Sequence, residues 1–220
     1  MAINRPYGTI DDLPAVVPVF PLPCALLLPH AELPLNIFEP RYLAMIDHAL
    51  RGDRLIGMIQ PTEEGADVPK LFPIGCAGRI TGFVETGDGR YQITLSGVAR
   101  FRAGAEQATG EPFRSVAADF SEFADDLVPR AEQDAAVDRE TLFAALRGYA
   151  ARHSLNIDWE SVRKAPSEAL VNALSMMSPF GIGEKQALLE AKTISERADM
   201  LVAITRFELA KPDDTPSRLQ

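Results

Sequence analysis

Apolar residues change their spacing once along this 220-residue sequence, and that change constrains the fold more than any single motif. Up to about residue 120 they come in short runs punctuated by proline and glycine. The runs are VVPVF (16–20), ALLL (25–28), PLNIF (34–38), RLIGMIQ (54–60), GRITGFVET (78–86), YQITLSG (91–97), ARFRAGAEQ (99–107) and RSVAADF (114–120). Such runs read as strands, because side chains along a strand alternate between two faces. Gly87-Asp88-Gly89 lies between two alternating runs, which predicts a hairpin, since these turns need residues that tolerate positive φ. Many short strands at close spacing predict a closed or partly closed barrel. The closely spaced prolines from Pro14 to Pro40 suit edges, corners and extended connections.

One helix interrupts this half. In the segment from Glu39 to Leu50, Pro40 can occupy the first helical turn without losing a hydrogen bond. Tyr42, Met45, Ile46, Ala49 and Leu50 share one helical face, and Gly52 is placed to end the helix. Acidic Ser121-Glu122-Phe123-Ala124-Asp125-Asp126, followed by Pro129, marks a boundary. Beyond it the spacing is helical. Residues 130–153 carry Val137, Leu142, Phe143, Ala145, Leu146 and Tyr149 on one stripe. A second helix starts near Pro166 with Leu170, Val171, Leu174 and Met177; Ser178-Pro179-Phe180-Gly181 breaks it. Two further segments follow, about 183–191 and 195–210, the last with Ser195 as its expected N-cap. The tail from Lys211 reads as disordered. The chain is thus expected to be α+β, with a barrel over 1–125 and a helical bundle over 126–220.

Composition excludes several classes. No run approaches the roughly 18 apolar residues of a membrane-spanning helix, and the start, MAINRPYGTIDD, has no apolar core of a secretory signal; a cytoplasmic protein is expected. Net charge is -9, and residues 1–129 hold 10 Lys+Arg against 17 Asp+Glu, so bulk attraction to nucleic-acid phosphates is not expected. Cys24 and Cys76 sit among apolar neighbours and read as buried free thiols; a bridge between them would need an oxidising compartment. His30, His48 and His153 have no ligand spacing, so no metal is expected. There is no G-x-x-x-x-G-K-[ST] loop, no G-x-S-x-G elbow and no evident acid–base pair of carboxylates, and no cofactor is expected. Met176-Met177 read as core at helical spacing, and Trp159, after the Asn156-Ile157-Asp158 turn, as an anchor of the bundle.

Two ordered stretches resemble the amino-terminal, substrate-binding domain family of the Lon protease. The first runs Pro18-Val19-Phe20-Pro21-Leu22, Pro29, Leu33-Pro34-Leu35-Asn36-Ile37-Phe38-Glu39-Pro40-Arg41-Tyr42 and Gly52-Asp53-Arg54. In that family a P-[LV]-x-P-L strand leads through L-x-I-F-E-x-R-Y into a helix. Leu95-Ser96-Gly97-Val98-Ala99-Arg100-Phe101 is similar to its later L-x-G-x-x-R-[FA] strand. The second stretch, Ser178-Pro179-Phe180-Gly181 through Glu184-Lys185-Gln186-Ala187-Leu188-Leu189-Glu190 to Glu196-Arg197, is similar to its helical part. The resemblance implies a PUA-like β-barrel subdomain followed by a helical bundle. In full-length Lon an ATPase and a serine–lysine protease follow; this sequence ends after the helices, so neither activity is carried over and no enzyme is expected.

What the resemblance implies is recognition of unfolded or extended polypeptide, either as substrate or as an adaptor for a protease or chaperone. The candidate residues are Phe38, Glu39, Arg41 and Tyr42. Phe38 and Tyr42, four apart, can pack as a staple at the helix entry, and Glu39 and Arg41 flank its positive end. The motif first suits a scaffold that fixes the barrel-to-helix junction; the functional alternative is that the same junction borders an apolar groove beside a free strand edge. An RNA-binding PUA-like domain is the alternative, resting on fold analogy and opposed by the acidic charge and by aromatics at 7%. A small-molecule site ranks last, and the oligomeric state is left open.

Overall fold

Among the described residues six strands, β1 (Val16–Pro21), β2 (Glu32–Ile37), β3 (Leu55–Ile59), β4 (Ile74–Glu85), β5 (Tyr91–Glu106) and β6 (Arg114–Asp119), pair in the order β2-β5-β4-β3-β1-β6, and β6 returns to pair with β5 as well. The structure, a computed structural model, describes residues 7–63, 65, 68–128, 137–152 and 158–211. Pro129, His153, the Asn156-Ile157 turn and the tail beyond Lys211, all read from sequence above, lie outside the described residues. The chain forms two compact units, Met1–Ala131 with Asn172–Glu190, and Glu132–Val171 with Ala191–Gln220.

In the first unit the second contact of β6 closes β1, β3, β4, β5 and β6 into a ring. All pairings are antiparallel except β1 with β3. That parallel pair requires a crossover, which is supplied by helix α1 (Pro40–Arg51) after β2. Continuous burial of Leu55–Ile59 follows from the same arrangement: α1 packs on β1 and β3. Among the described residues β2 pairs with β5 alone, so it is an edge strand, and Pro34 within it is tolerated for that reason. Inside the ring, Phe101 is fully buried. A Cβ at Gly57 or Gly75 would come within 2.7 or 2.8 Å of its ring, so these two glycines make the space that the ring fills.

The helix starts at Pro40 with Glu39 at the N-cap and ends at Gly52, and the hairpin turns through Gly89 at φ 78. Several expectations are corrected. The ALLL run is no strand: residues 22–31 form a loop bracketed by prolines, with Leu26, Leu27 and Leu28 buried. Its backbone is held by main-chain bonds, His30 N to Gly97 O at 3.0 Å and Gly97 N to Ala31 O at 2.8 Å. Cys24 in that loop is exposed rather than buried, with φ 58, because the turn directs it away from the leucines that follow. The runs at 91–97 and 99–107 are one strand of 16 residues, long enough to serve β2 at one end and β6 at the other.

The returning segment of the first unit contains α5 (Ile182–Glu190) and the last six residues of α4 (Ser167–Met177). Met177 there is 82% exposed, against the core reading; the helix ends at it, so no further turn covers it. The second unit is built on α2 (Arg139–Arg152) and α6 (Ile194–Ala210), whose apolar faces pack together. A short α3 (Trp159–Lys164) appears where sequence showed only a turn, capped by Asp158, which accepts from Glu160 N and Ser161 N. Thr193, not Ser195, caps α6 by accepting from Glu196 N at 3.1 Å. Arg152 donates to the carbonyls of Glu208, Leu209 and Lys211 at the other end of α6, where a cation is favoured. Across both units, no helix among the described residues is long and apolar enough to cross a membrane. The architecture is α+β.

Candidate functional site

The Phe38–Tyr42 junction is built by the change from β2 to α1. Glu39 caps through its main-chain oxygen, which accepts from Tyr42 N and Leu43 N, both at 2.9 Å. Its carboxylate is left for Arg41, whose Nε donates to it at 2.9 Å. The Arg41 guanidinium lies 4.5 Å from the centre of the Tyr42 ring, within range of a cation–π contact. Tyr42 is 6% exposed, and its ring centre is 4.2 Å from that of Phe20 on β1. Burial pushes its hydroxyl above the usual tyrosine range, with Arg41 opposing the shift. The expected Phe38–Tyr42 staple is therefore replaced: Tyr42 takes Phe20 as its partner. Phe38 is 62% exposed, with the Arg90 guanidinium 6.0 Å from its ring.

The four candidate residues thus separate. Arg41 and Tyr42 line a cavity of about 330 Å³, whereas Phe38 and Glu39 do not. The remaining walls come from distant parts of the chain: Pro21 at the end of β1 and Pro23 after it, Pro61, Glu63, Gly65, Val68 and Pro69 from the β3–β4 connection, and Pro112, Phe113 and Arg114 at the start of β6. A second hollow, about 470 Å³, lies against the same Val68, Pro69 and Arg114 and extends to Glu106 and Val116. The volumes fall in the range of ligand sites, about 300–1,000 Å³.

Two parts of the wall are fixed from behind. Arg114 donates to Pro69 O at 2.8 Å and to both carboxylate oxygens of Glu106, one at 3.1 Å. These bonds hold the Glu106 carboxyl below the usual glutamate range. Phe113 is packed edge-on by His48 of α1 at 5.3 Å. Proline contributes no N–H and a fixed φ, so five proline walls make a rigid, apolar surface that offers few hydrogen-bond donors of its own. Arg41 and Arg114 supply the cationic groups. Among the described residues that line the groove, no nucleophile is paired with a base. Among the described residues no group of three or more His, Cys, Asp or Glu could hold a metal ion.

The other motif residues are interior supports. Arg100 and Asp126 form a pair 3% exposed on each side; Asp126 accepts from Arg100 N, Nε and Nη2 at 3.0, 2.8 and 2.8 Å. Arg100 also donates to Leu189 O at 3.2 Å. Lys185 donates to Ser175 O and Met176 O, closing the end of α4. Gln186 donates to Ile74 O and Glu190 while accepting from Gln60. Sequence reasoning missed Pro61, Pro69, Pro112, Phe113 and Arg114 as groove residues; Pro21 and Pro23 were visible as members of a proline-dense segment, Pro21 also within the family motif.

Comparison with known proteins agrees with this architecture. Residues 16–206 match the family model of the ATP-dependent protease La (LON) substrate-binding domain. Lon protease of Escherichia coli (strain K12) is 25% identical over 208 residues, covering 88% of this chain and 25% of the relative. Lon protease 2 of Myxococcus xanthus is 32% identical over 102 residues, covering 44% of this chain and 12% of the relative. The chain thus spans a quarter or less of the length of these relatives. The N-terminal domain of Mycobacterium avium complex Lon protease superposes with TM-score 0.61 at 20% identity, over 87% of this chain and 98% of that one. A Lon N-terminal domain protein from Xanthomonas campestris gives TM-score 0.58 at 23% identity, over 86% and 97%.

Proposed function

The chain belongs to the LON substrate-binding domain family, and from that premise we propose that it binds extended polypeptide in the proline-walled groove beside Arg41 and Tyr42, with no catalytic chemistry of its own. The observation that carries this reading is the groove itself, a preformed cavity of about 330 Å³ with apolar walls. A largely apolar wall with few N–H donors gains affinity mainly from apolar contact, which discriminates little between sequences and resists salt. Because Pro69 is held by Arg114 and proline has little backbone freedom to lose, little ordering cost accompanies binding. Delivery of the bound segment to a protease or chaperone partner belongs to the same proposal.

Fluorescence anisotropy with a labelled, permanently unfolded polypeptide tests it. Binding is expected at about tens of micromolar, nearly unchanged between low and moderate salt. Val68 is 75% exposed and lines both hollows, so Val68→Glu alters the groove at little cost to the fold; it is expected to weaken binding about tenfold, roughly 1.4 kcal/mol. Phe38→Ala, outside the groove, is expected to leave affinity unchanged. Full binding by the Val68 variant, or loss only on removing Phe38, refutes the groove; no binding by any form refutes the polypeptide reading.

A further inference from the structure

Helix α6 has two apolar faces, and among the described residues only one is buried. Ile194, Ala198, Leu201, Val202 and Ile204 are buried. On the opposite side Met200, Ala203, Phe207 and Ala210 are exposed, Met200 at 39% and Phe207 at 63%. Their spacing is three, four and three residues, the repeat that forms a continuous seam between two helices. Turning 100° per residue places all four within a stripe of about 80°, with small Ala203 at its middle, where another backbone could approach closely.

Charge decides what such a seam accepts. Asp199 and Arg206 are exposed, and the same rotation places both on one flank of the stripe, an equal distance from a midpoint beside Ala203. Neither side chain makes a hydrogen bond or ion pair among the described residues. When two identical helices pack antiparallel about a two-fold axis, one flank faces the same flank of the other helix. A two-fold near Ala203 therefore sets Asp199 of each copy against Arg206 of the other, and Met200 against Phe207, a favourable sulfur–aromatic pair. A parallel arrangement brings opposite flanks together and forms neither ion pair. The helix macrodipoles also favour the antiparallel sense.

We propose that the Met200–Ala203–Phe207–Ala210 face of α6 is a self-association surface on which a second copy of this chain docks antiparallel, with Asp199 and Arg206 setting the register. A seam of two heptads is small beside a standard interface of about 1,600 Å², so the dimer is weak, with Kd on the order of a hundred micromolar.

Sedimentation equilibrium of the full chain, from about 10 µM to about 1 mM around that Kd, tests this directly. The average mass is expected to climb from 24.0 kDa towards twice that value. Phe207→Glu should hold it at the monomer value. Asp199→Arg alone and Arg206→Asp alone each set like charges opposite and should also stay monomeric. An equimolar mixture of those two variants restores both pairs and should dimerise like the wild type. The altered side chains are exposed, and unchanged melting temperatures would verify that each variant is folded. A wild type that stays at 24.0 kDa overturns the proposal. So does a dimer that survives Phe207→Glu, and so does a mixture that fails to associate where the wild type succeeds.

Discussion

At Gly97 one hydrogen atom decides whether the leucine loop can lie on the barrel. A Cβ built there would sit 2.0 Å from Leu28 O, a main-chain atom that cannot yield while the loop keeps its bonds to Gly97 and Ala31. Gly97→Ala is therefore expected to cost about 3 kcal/mol or more, read as a lower urea midpoint with unchanged slope. Lys185 supplies a different residue-scale test. It is 2% exposed, and burial pulls its ammonium down to about 8 from 10.5. Between those values the unfolded chain holds the proton and the folded chain releases it, so folding gains stability as pH rises from about 8 to 10.5. The neutral amine still has two N–H groups for Ser175 O and Met176 O. The melting temperature of the wild type relative to Lys185→Met should thus rise from pH 8 to pH 10; a flat difference would mean the ammonium is not desolvated.

The elements are set by local rules that sometimes allow more than one answer. Thr193 and Ser195 both lie at the start of the last helix, and both are good capping residue types. The structure selects Thr193, three residues before Glu196, whose carboxylate accepts from Lys192 N at 2.9 Å. Thr193→Ala is expected to cost about 1 kcal/mol and to lower the melting temperature by about 2–4 °C, and Ser195→Ala should cost less, because it leaves the cap in place. A scan of both variants checks the assignment. The same ambiguity misled the reading of ALLL: a short apolar run is compatible with a buried strand or a buried loop, and only the presence of a neighbouring strand with free hydrogen bonds distinguishes them. Helix α1 had no such competitor, because Pro40 and Gly52 punctuate both ends.

Across the whole molecule, the first unit is discontinuous in sequence: Asn172–Glu190 belongs with Met1–Ala131. Gln186 reaches Gln60 and Ile74, and Leu189 O accepts from the buried Arg100. A fragment ending at Ala131 would leave those buried polar groups short of partners, at about 1–3 kcal/mol each. It is expected to unfold at markedly lower urea than the full chain, and denaturation of both followed by tyrosine fluorescence would check it. Sequence by itself determined what depends on neighbours within a few residues: the β-rich first half and helical second half, the hairpin at Gly87–Gly89, both ends of α1, and a family resemblance carried by ordered motifs. It could not show that Arg100, Lys185 and Gln186 are interior supports, nor that Phe38 and Tyr42 part company. Tertiary structure alone decided the groove, because its walls at Pro21, Arg41, Pro61, Pro69 and Phe113 meet only once β1 pairs in parallel with β3 and the barrel closes through β6. Periodicity reports which face of an element is apolar; it carries no information about which distant segments that face will meet.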